Sequence, residues 1–491
     1  MNMDRIDVSD DDPGLPRFAV RSWFIDGLSP HAPVPFTHGL PTTPQEFISQ
    51  LPAAGFSCWV RHTSGLVGFG RAARLTATGA RRFADLDRAW QQIVATSTID
   101  DPVGLPGSGL ACFSAVTFSA QSQATSVIDI PRYLLGRRDE RVWLTSIEPL
   151  SAGARTADPA GNGDGSDDGE LVLAPTPIRR PVGATRKPGH TTGADYLDIV
   201  AQASALMREH TGAQALKKVV LARDELIETP DEIDVRALLA ALNTAYPGCW
   251  TFDVAGLIGA TPELLVGVED GRVTTRVLAG TYRVEDDPRA ELAAARELLG
   301  KAKDQEEHRY AIESIVAPLT RLTDQLHVDE EPHLLQLANV IHLASDAHGT
   351  LTARDGRVPT ALAVAEAVHP TAAIGGVPTP LAAATIAEYE RTDRGRFSGP
   401  VGWMDAAGNG QFGIALRCGQ FEDRNRIRLF AGAGIMPDSD PLTELVETGA
   451  KFAPMRTALG IDPQAAIAEE RAAAMPTDAA PTAAEREGSH A

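Results

Sequence analysis

Hydrophobic and polar positions alternate with period two over many short runs of this chain and recur at i, i+3 and i+4 over a few longer ones. The first pattern predicts strands at Cys112 to Phe118 and Val127 to Leu135, and the latter forms a hairpin with Val142 to Ile147 across the polar turn Gly136 to Glu140. Further strands are expected at Lys217 to Arg223, Trp250 to Val254, Leu257 to Leu265, Arg272 to Leu278, Phe397 to Trp403, Gln411 to Cys418 and Ile427 to Ala431. The helical pattern predicts helices at Arg81 to Ala95, Tyr196 to Glu209, Val235 to Leu242 and Asp287 to Leu326, the last kinked or divided at Pro318. Leu335 to Ala347 and Ala361 to His369 continue the mixture, and Asp440 with Pro441 reads as the N-cap and first residue of a helix. The run of strands predicts a broad antiparallel sheet.

Two stretches interrupt the periodicity. Residues 152–190 are rich in Gly, Asp, Ala and Pro, too polar to bury, and read as a flexible connection with one strand at Leu171 to Ala174. Residues 463–491 are Ala, Glu, Pro and Thr without an apolar stripe, and predict a disordered tail. The expected organisation is an N-terminal subdomain over 1–151, the connection over 152–190, a catalytic region over 191–462 and the tail.

Net charge sharpens this. At −20 over 491 residues, a nucleic-acid groove or an anionic membrane surface is excluded as partner, and an anionic substrate needs locally gathered cations. Four cysteines without a CxxC spacing exclude a zinc ribbon or a disulfide scaffold, and the N-terminus has no secretory pattern, so a cytoplasmic protein with reduced thiols is expected.

Candidate chemistry gathers in a few places. Ala431-Gly432-Ala433-Gly434 lacks bulky side chains, so a ligand can approach the backbone there. On the helix after Asp440, Glu444, Glu447 and Lys451 fall at i, i+3 and i+7, on one face. Spacing alone equally fits a solvated face with an ordinary i,i+4 pair. Lys218 stands in an apolar strand, where an ammonium must pair, reach the surface or lose its proton; a solvated strand end is the plainer alternative. Glu263, after Pro262, interrupts two apolar segments; held among them its carboxyl would serve as a general acid, whereas at a turn it would face water. Glu307 lies in a charge run that is by itself a solvated helix face, but with Glu447 it would make the open oxygen site that Mg²⁺ prefers. Arg417 ends a strand, suited to binding a carboxylate with two parallel hydrogen bonds.

In chain order, KVVLAR, GATPELL, LAGT, KDQEEH, HPTAAIGGVP, FSGPVGW, IALRC, LFAGAGI and ETGAK resemble the motifs of the chorismate-binding enzyme family, and within it the isochorismate synthases, over Lys217 to Lys451. The resemblance implies large antiparallel sheets covered by helices, an α/β (α+β) fold drawing on both ends of the chain. It implies Mg²⁺-dependent conversion of chorismate to isochorismate, an isomerase reaction of menaquinone or siderophore biosynthesis. By the same resemblance, Lys218 activates the water that attacks C2 and Glu263 protonates the departing C4 hydroxyl. Glu307 and Glu447 hold Mg²⁺, Glu444 supports them, and Gly280, Thr281, Ala373, Arg417, Gly432 and Lys451 contact chorismate. No glutaminase subunit is implied, and a monomer or weak homodimer is expected. Two other outcomes share these residues: a salicylate synthase that goes on to eliminate pyruvate, and a non-catalytic chorismate-binding regulator. Tyr282 departs from many members and Gly375 from some, and both bear on the pocket.

Overall fold

A computed structural model describes residues 5–9, 14–25, 48–150, 176–212, 214–283, 302–336, 340–353 and 356–474. Two large sheets dominate it, one of 11 and one of 13 strands, mostly antiparallel. N-terminal and C-terminal strands are neighbours in both: Ala111–Ala115 pairs with Pro400–Asp405, and Phe56–Arg61 with Trp250–Val254. Side chains between the sheets include Trp59, Phe113, Trp250, Phe252, Trp403 and Phe430, all buried in one apolar cluster. Helices cover the outer faces, as expected of sheets with apolar residues on both sides.

The chain passes directly from one sheet to the other at tight corners, and these lie in pairs. Gly70–Ala72 and Pro131–Arg132 are side by side, tied by Ala72 N–H donating to Ile130 O at 2.9 Å and Arg132 N–H to Gly70 O at 3.4 Å. Pro262–Glu263 and Ala415–Arg417 form the second pair, tied by Ile414 N–H to Glu263 O at 3.1 Å and Ala260 N–H to Arg417 O at 3.3 Å.

These corners correct three expected strands. Val127 to Leu135 is two strands, Ser126–Ile130 and Tyr133–Arg138, in different sheets, so the predicted hairpin belongs to Tyr133–Arg138 and Arg141–Pro149. Pro131, which cannot donate to a ladder, sits at the break. Leu257 to Leu265 likewise divides at Pro262, and Gln411 to Cys418 ends at Ile414 before a new strand, Cys418–Asp423.

The expected Asp287 to Leu326 helix is observed as Ala302–Thr320, with Pro318 inside it. It stops short of Leu326 because Thr323–Val328 pairs with Val340–Leu351. Residues 284–301 and the strand expected at 171–174 lie outside the described residues. The described part of the connection is anchored, since Thr185–Pro188 pairs with Glu225 to Glu228.

The tail is also corrected. Pro463–Ala474 is a helix packed on Pro441–Ala458, and residues 475–491 lie outside the described residues. Its apolar stripe is thin, and ion pairs hold it in place, as described below. No described helix is long and apolar enough to cross a membrane.

Candidate active site

The Lys218–Glu228 strand runs antiparallel to Arg426–Ile435, with Val220 opposite Gly434 and Ala222 opposite Gly432. Alternation places Lys218, Val220 and Ala222 on one face with Gly432 and Gly434. Because the glycines have no side chains, other groups can come close to the backbone on that face, and at Gly434 they do. A Cβ on Gly434 would stand 2.7 Å from Glu307 Oε1 and 2.9 Å from Lys218 Cε.

Lys218 is fully buried, and its Nζ lies 2.8 Å from Glu307 Oε1, delivered by the Ala302–Thr320 helix. The contact is a charge pair, and Nζ makes no directed hydrogen bond among the described residues. Next to it Gly376–Val377 adds a short pairing to the strand. Gly376 has φ +144°, and a Cβ there would meet Lys218 O at 2.1 Å, so this glycine is required for the approach. The preceding loop carries Ala373, half-buried against the core, and Ala372 N–H donates to Ser314 Oγ on the acidic helix at 3.0 Å.

The Arg426–Ile435 strand is paired by Cys418–Asp423 only as far as Phe430 opposite Cys418, because the chain has come from the other sheet at Arg417. Its remaining edge is filled by a side chain: Lys451 Nζ donates to Gly432 O at 2.8 Å and pairs with Glu447 Oε1 at 2.7 Å. The Pro441–Ala458 helix that supplies both is capped by Asp440, as the sequence predicts. Glu444 turns elsewhere, buried and accepting from Ser439 Oγ at 2.7 Å, so it supports the helix start.

Glu263 sits in the corner between the sheets, 5% exposed. Burial pushes its carboxyl up to about 8, against the lowering influence of Lys218, Lys451 and Arg417. Arg417 adopts φ 48°, uncommon for a residue with a Cβ; burial lowers its guanidinium from the ordinary range while Cys249, Tyr246, Glu447 and Glu263 favour the charge. Among the described residues neither side chain has a hydrogen bond or ion pair. Gly280 falls where the pairing of Arg272–Arg283 with Val340–Leu351 shifts register, between Ala279 and Thr281; such irregularities re-aim a strand.

The structure thus brings together Lys218, Glu263, Glu307, Arg417, Gly432, Glu447 and Lys451. Glu307 stands over Gly434, and Glu447 is tied to Gly432 through Lys451. Among the described residues no three His, Cys, Asp or Glu side chains form a ready metal cage. Mg²⁺ does not need one, since it commonly takes one or two carboxylates with waters and substrate oxygens, so this all-oxygen pair fits it. Sequence reasoning did not single out Gly376 or Gly434 individually, or Tyr246 and Cys249 beside Arg417. An isolated apolar or glycine position carries no signal until its neighbour across the sheet is known.

The two-sheet fold thus sets a buried carboxyl, a buried lysine and a buried guanidinium near one another. Residues 47–460 match the family model described as chorismate binding enzyme, and the chain belongs to that family. It is 39% identical over 279 residues to the isochorismate synthase DhbC of Bacillus subtilis, covering 55% of this chain and 68% of that one. It is 36% identical over 271 residues to the isochorismate synthase EntC of Escherichia coli K12, covering 54% and 67%. Among solved structures, the putative 2,3-dihydroxybenzoate-specific isochorismate synthase of Bacillus anthracis superposes with TM-score 0.65 at 27% identity, over 85% of this chain and 100% of that one.

Proposed function

We propose that this chain is a Mg²⁺-dependent isochorismate synthase, an isomerase converting chorismate to isochorismate for menaquinone or siderophore biosynthesis. The observation that carries the reading is Glu263: a carboxyl buried among three cations whose pKa of about 8 keeps it protonated at neutral pH, so that it has a proton to give. Glu263 donates that proton to the C4 hydroxyl as it leaves. Lys218, once its ammonium has released a proton to solvent, takes a proton from the water that attacks C2 while the ring double bonds shift. One water enters and one leaves, so product and substrate are isomers. Arg417 and Lys451 offer N–H donors to the substrate's carboxylates, and the glycine strand lets the ring lie against the backbone. Glu307 and Glu447 would hold Mg²⁺, which supplies positive charge for the ring carboxylate.

The test is chromatographic identification of products from purified protein, chorismate and Mg²⁺, with EDTA and ammonium controls. An equilibrating mixture of chorismate and isochorismate, lost with EDTA, is the expected result. Salicylate with pyruvate would replace the reading with a salicylate synthase, an ammonium-dependent amino product would remove Lys218 as the group activating water, and absence of product would leave a binding protein.

A further inference from the structure

The Pro463–Ala474 helix lies beyond residues 47–460, the part that the family model matches. Its attachment is ionic. Arg223 and Glu225 project from the lysine strand on the face opposite Lys218. There Arg456, wholly buried, donates from Nε to Glu225 Oε1 at 2.9 Å and from Nη2 to Glu225 Oε2 at 2.6 Å. Glu470, 12% exposed, completes the group: Arg223 Nη2 donates to its Oε2 at 2.6 Å, and Arg456 and Arg186 both donate to its Oε1. Burial alone would raise the Glu470 carboxyl; Arg223, Arg456 and Arg186 reverse this and hold it low.

Without Glu470 three guanidinium groups would face the one buried carboxylate of Glu225, with Glu469 at the exposed rim. The group also grips the helix that supplies the site. Arg223 Nε donates to Thr448 Oγ1 at 2.8 Å, and a Cβ on Gly449 would stand 3.0 Å from Ile467 Cγ1 and 3.4 Å from Glu470 Oε2. Thr448 and Gly449 lie between Glu447 and Lys451. The clamp is therefore applied to the same turn, from behind.

We propose that Glu470 is a positioning residue for the active site: through Arg223, Arg456 and Thr448 it fixes the turn that carries Glu447 and Lys451, making the C-terminal helix a brace for substrate binding. The kinetic side of this rests on the proposed function, whereas the mechanical side does not. The full chain is compared with Glu470→Gln, Glu470→Asp and, as a rim control, Glu469→Gln. Each is measured for kcat and KM with chorismate and for amide hydrogen exchange.

In Glu470→Gln, kcat/KM is expected to fall about tenfold to a hundredfold, as a small misplacement of binding groups costs, mainly through KM. Exchange should quicken in 444–451 and in 463–474 but not in the central strands. Glu470→Asp should recover most of both, and Glu469→Gln should match the parent. Parental kinetics and exchange in Glu470→Gln would overturn the proposal, as would equal impairment of the Gln and Asp variants with faster exchange throughout. If the parent itself does not turn over chorismate, the functional reading fails, and the local exchange change alone decides the brace.

Discussion

The two paired corners are built alike and serve opposite ends. At Gly70–Ala72 and Pro131–Arg132 the acid is paired: the Arg74 guanidinium makes two hydrogen bonds to Asp129, and Arg71 stands 3.7 Å from the same carboxylate, while the buried Nε of Arg132 has no hydrogen-bond partner among the described residues. At Pro262–Glu263 and Ala415–Arg417 the acid and the guanidinium remain without a directed partner among the described residues, and Glu263 stays protonated. A change of sheet forces backbone and side chains inward in either case. What distinguishes the two corners is whether the carboxyl group has a guanidinium partner, as Asp129 has and Glu263 has not among the described residues.

Substitutions at the two corners should therefore dissociate stability from turnover. The largest effect is expected for Glu263→Gln, which removes the proposed proton donor and should lower kcat about 10²–10⁴-fold. The folded state should be unharmed, because a neutral amide replaces a group that is already neutral. Rate measurements beside a urea titration check this, and full turnover would remove Glu263 as the acid. Lys218→Ala should fall in the same range of rate loss.

At the other corner, Asp129→Ala should leave chorismate KM unchanged and cost about 3 kcal/mol, the low end for breaking a buried pair, since Arg74 is partly exposed. A changed KM with unchanged stability would erase the distinction between the corners.

The third effect is one of pH. Glu263 is raised, so between its unfolded value near 4.5 and about 8 the folded state holds a proton that the unfolded chain has released, and stability falls as pH rises across that window. The rate should fall with it as pH passes about 8, because the acid is then ionised. Glu470, held low, acts oppositely: its contribution is whole above its unfolded value and is lost as pH falls through the lower folded one. Unfolding at several pH values for the parent and Glu263→Gln separates the two, since only the slope between about 4.5 and about 8 should flatten in the variant.

The smallest effect is expected for Gly434→Ala. Its Cβ would press on the outer end of the Glu307 side chain, which is 19% exposed and can shift, and on Cε of the buried Lys218, so a several-fold weaker response to Mg²⁺ and a stability loss of about 1 kcal/mol, the low end for overpacking, are expected. The Mg²⁺ dependence of initial rate measures it.

Much of the site was legible because its residues break local patterns: a lysine in an apolar strand, a glutamate after proline between apolar runs, glycines ending a strand. The resemblance of nine motifs then tied them together, and the antiparallel sheets and covering helices followed. What the chain did not disclose is parity and passage between layers. Val127 to Leu135 alternates as one strand would, and only the neighbours show that Pro131 changes sheets. Glu470 has no local signature, because its meaning depends on Arg223 and Arg186, more than two hundred residues before it. Glu444 shares a helical spacing with Glu447, yet the hydroxyl of Ser439 claims it.

The interleaving of early and late strands also sets a timetable for synthesis. Ala111–Ala115 finds a partner in Pro400–Asp405, and Lys218–Glu228 in Arg426–Ile435, so neither ladder can close before nearly the whole chain has left the ribosome. Contacts so distant in sequence form slowly, and until then unpaired strand edges are exposed to other chains. Catalytic competence should thus arrive late and all at once, and nascent fragments ending before about residue 400 should depend on chaperones to stay in solution.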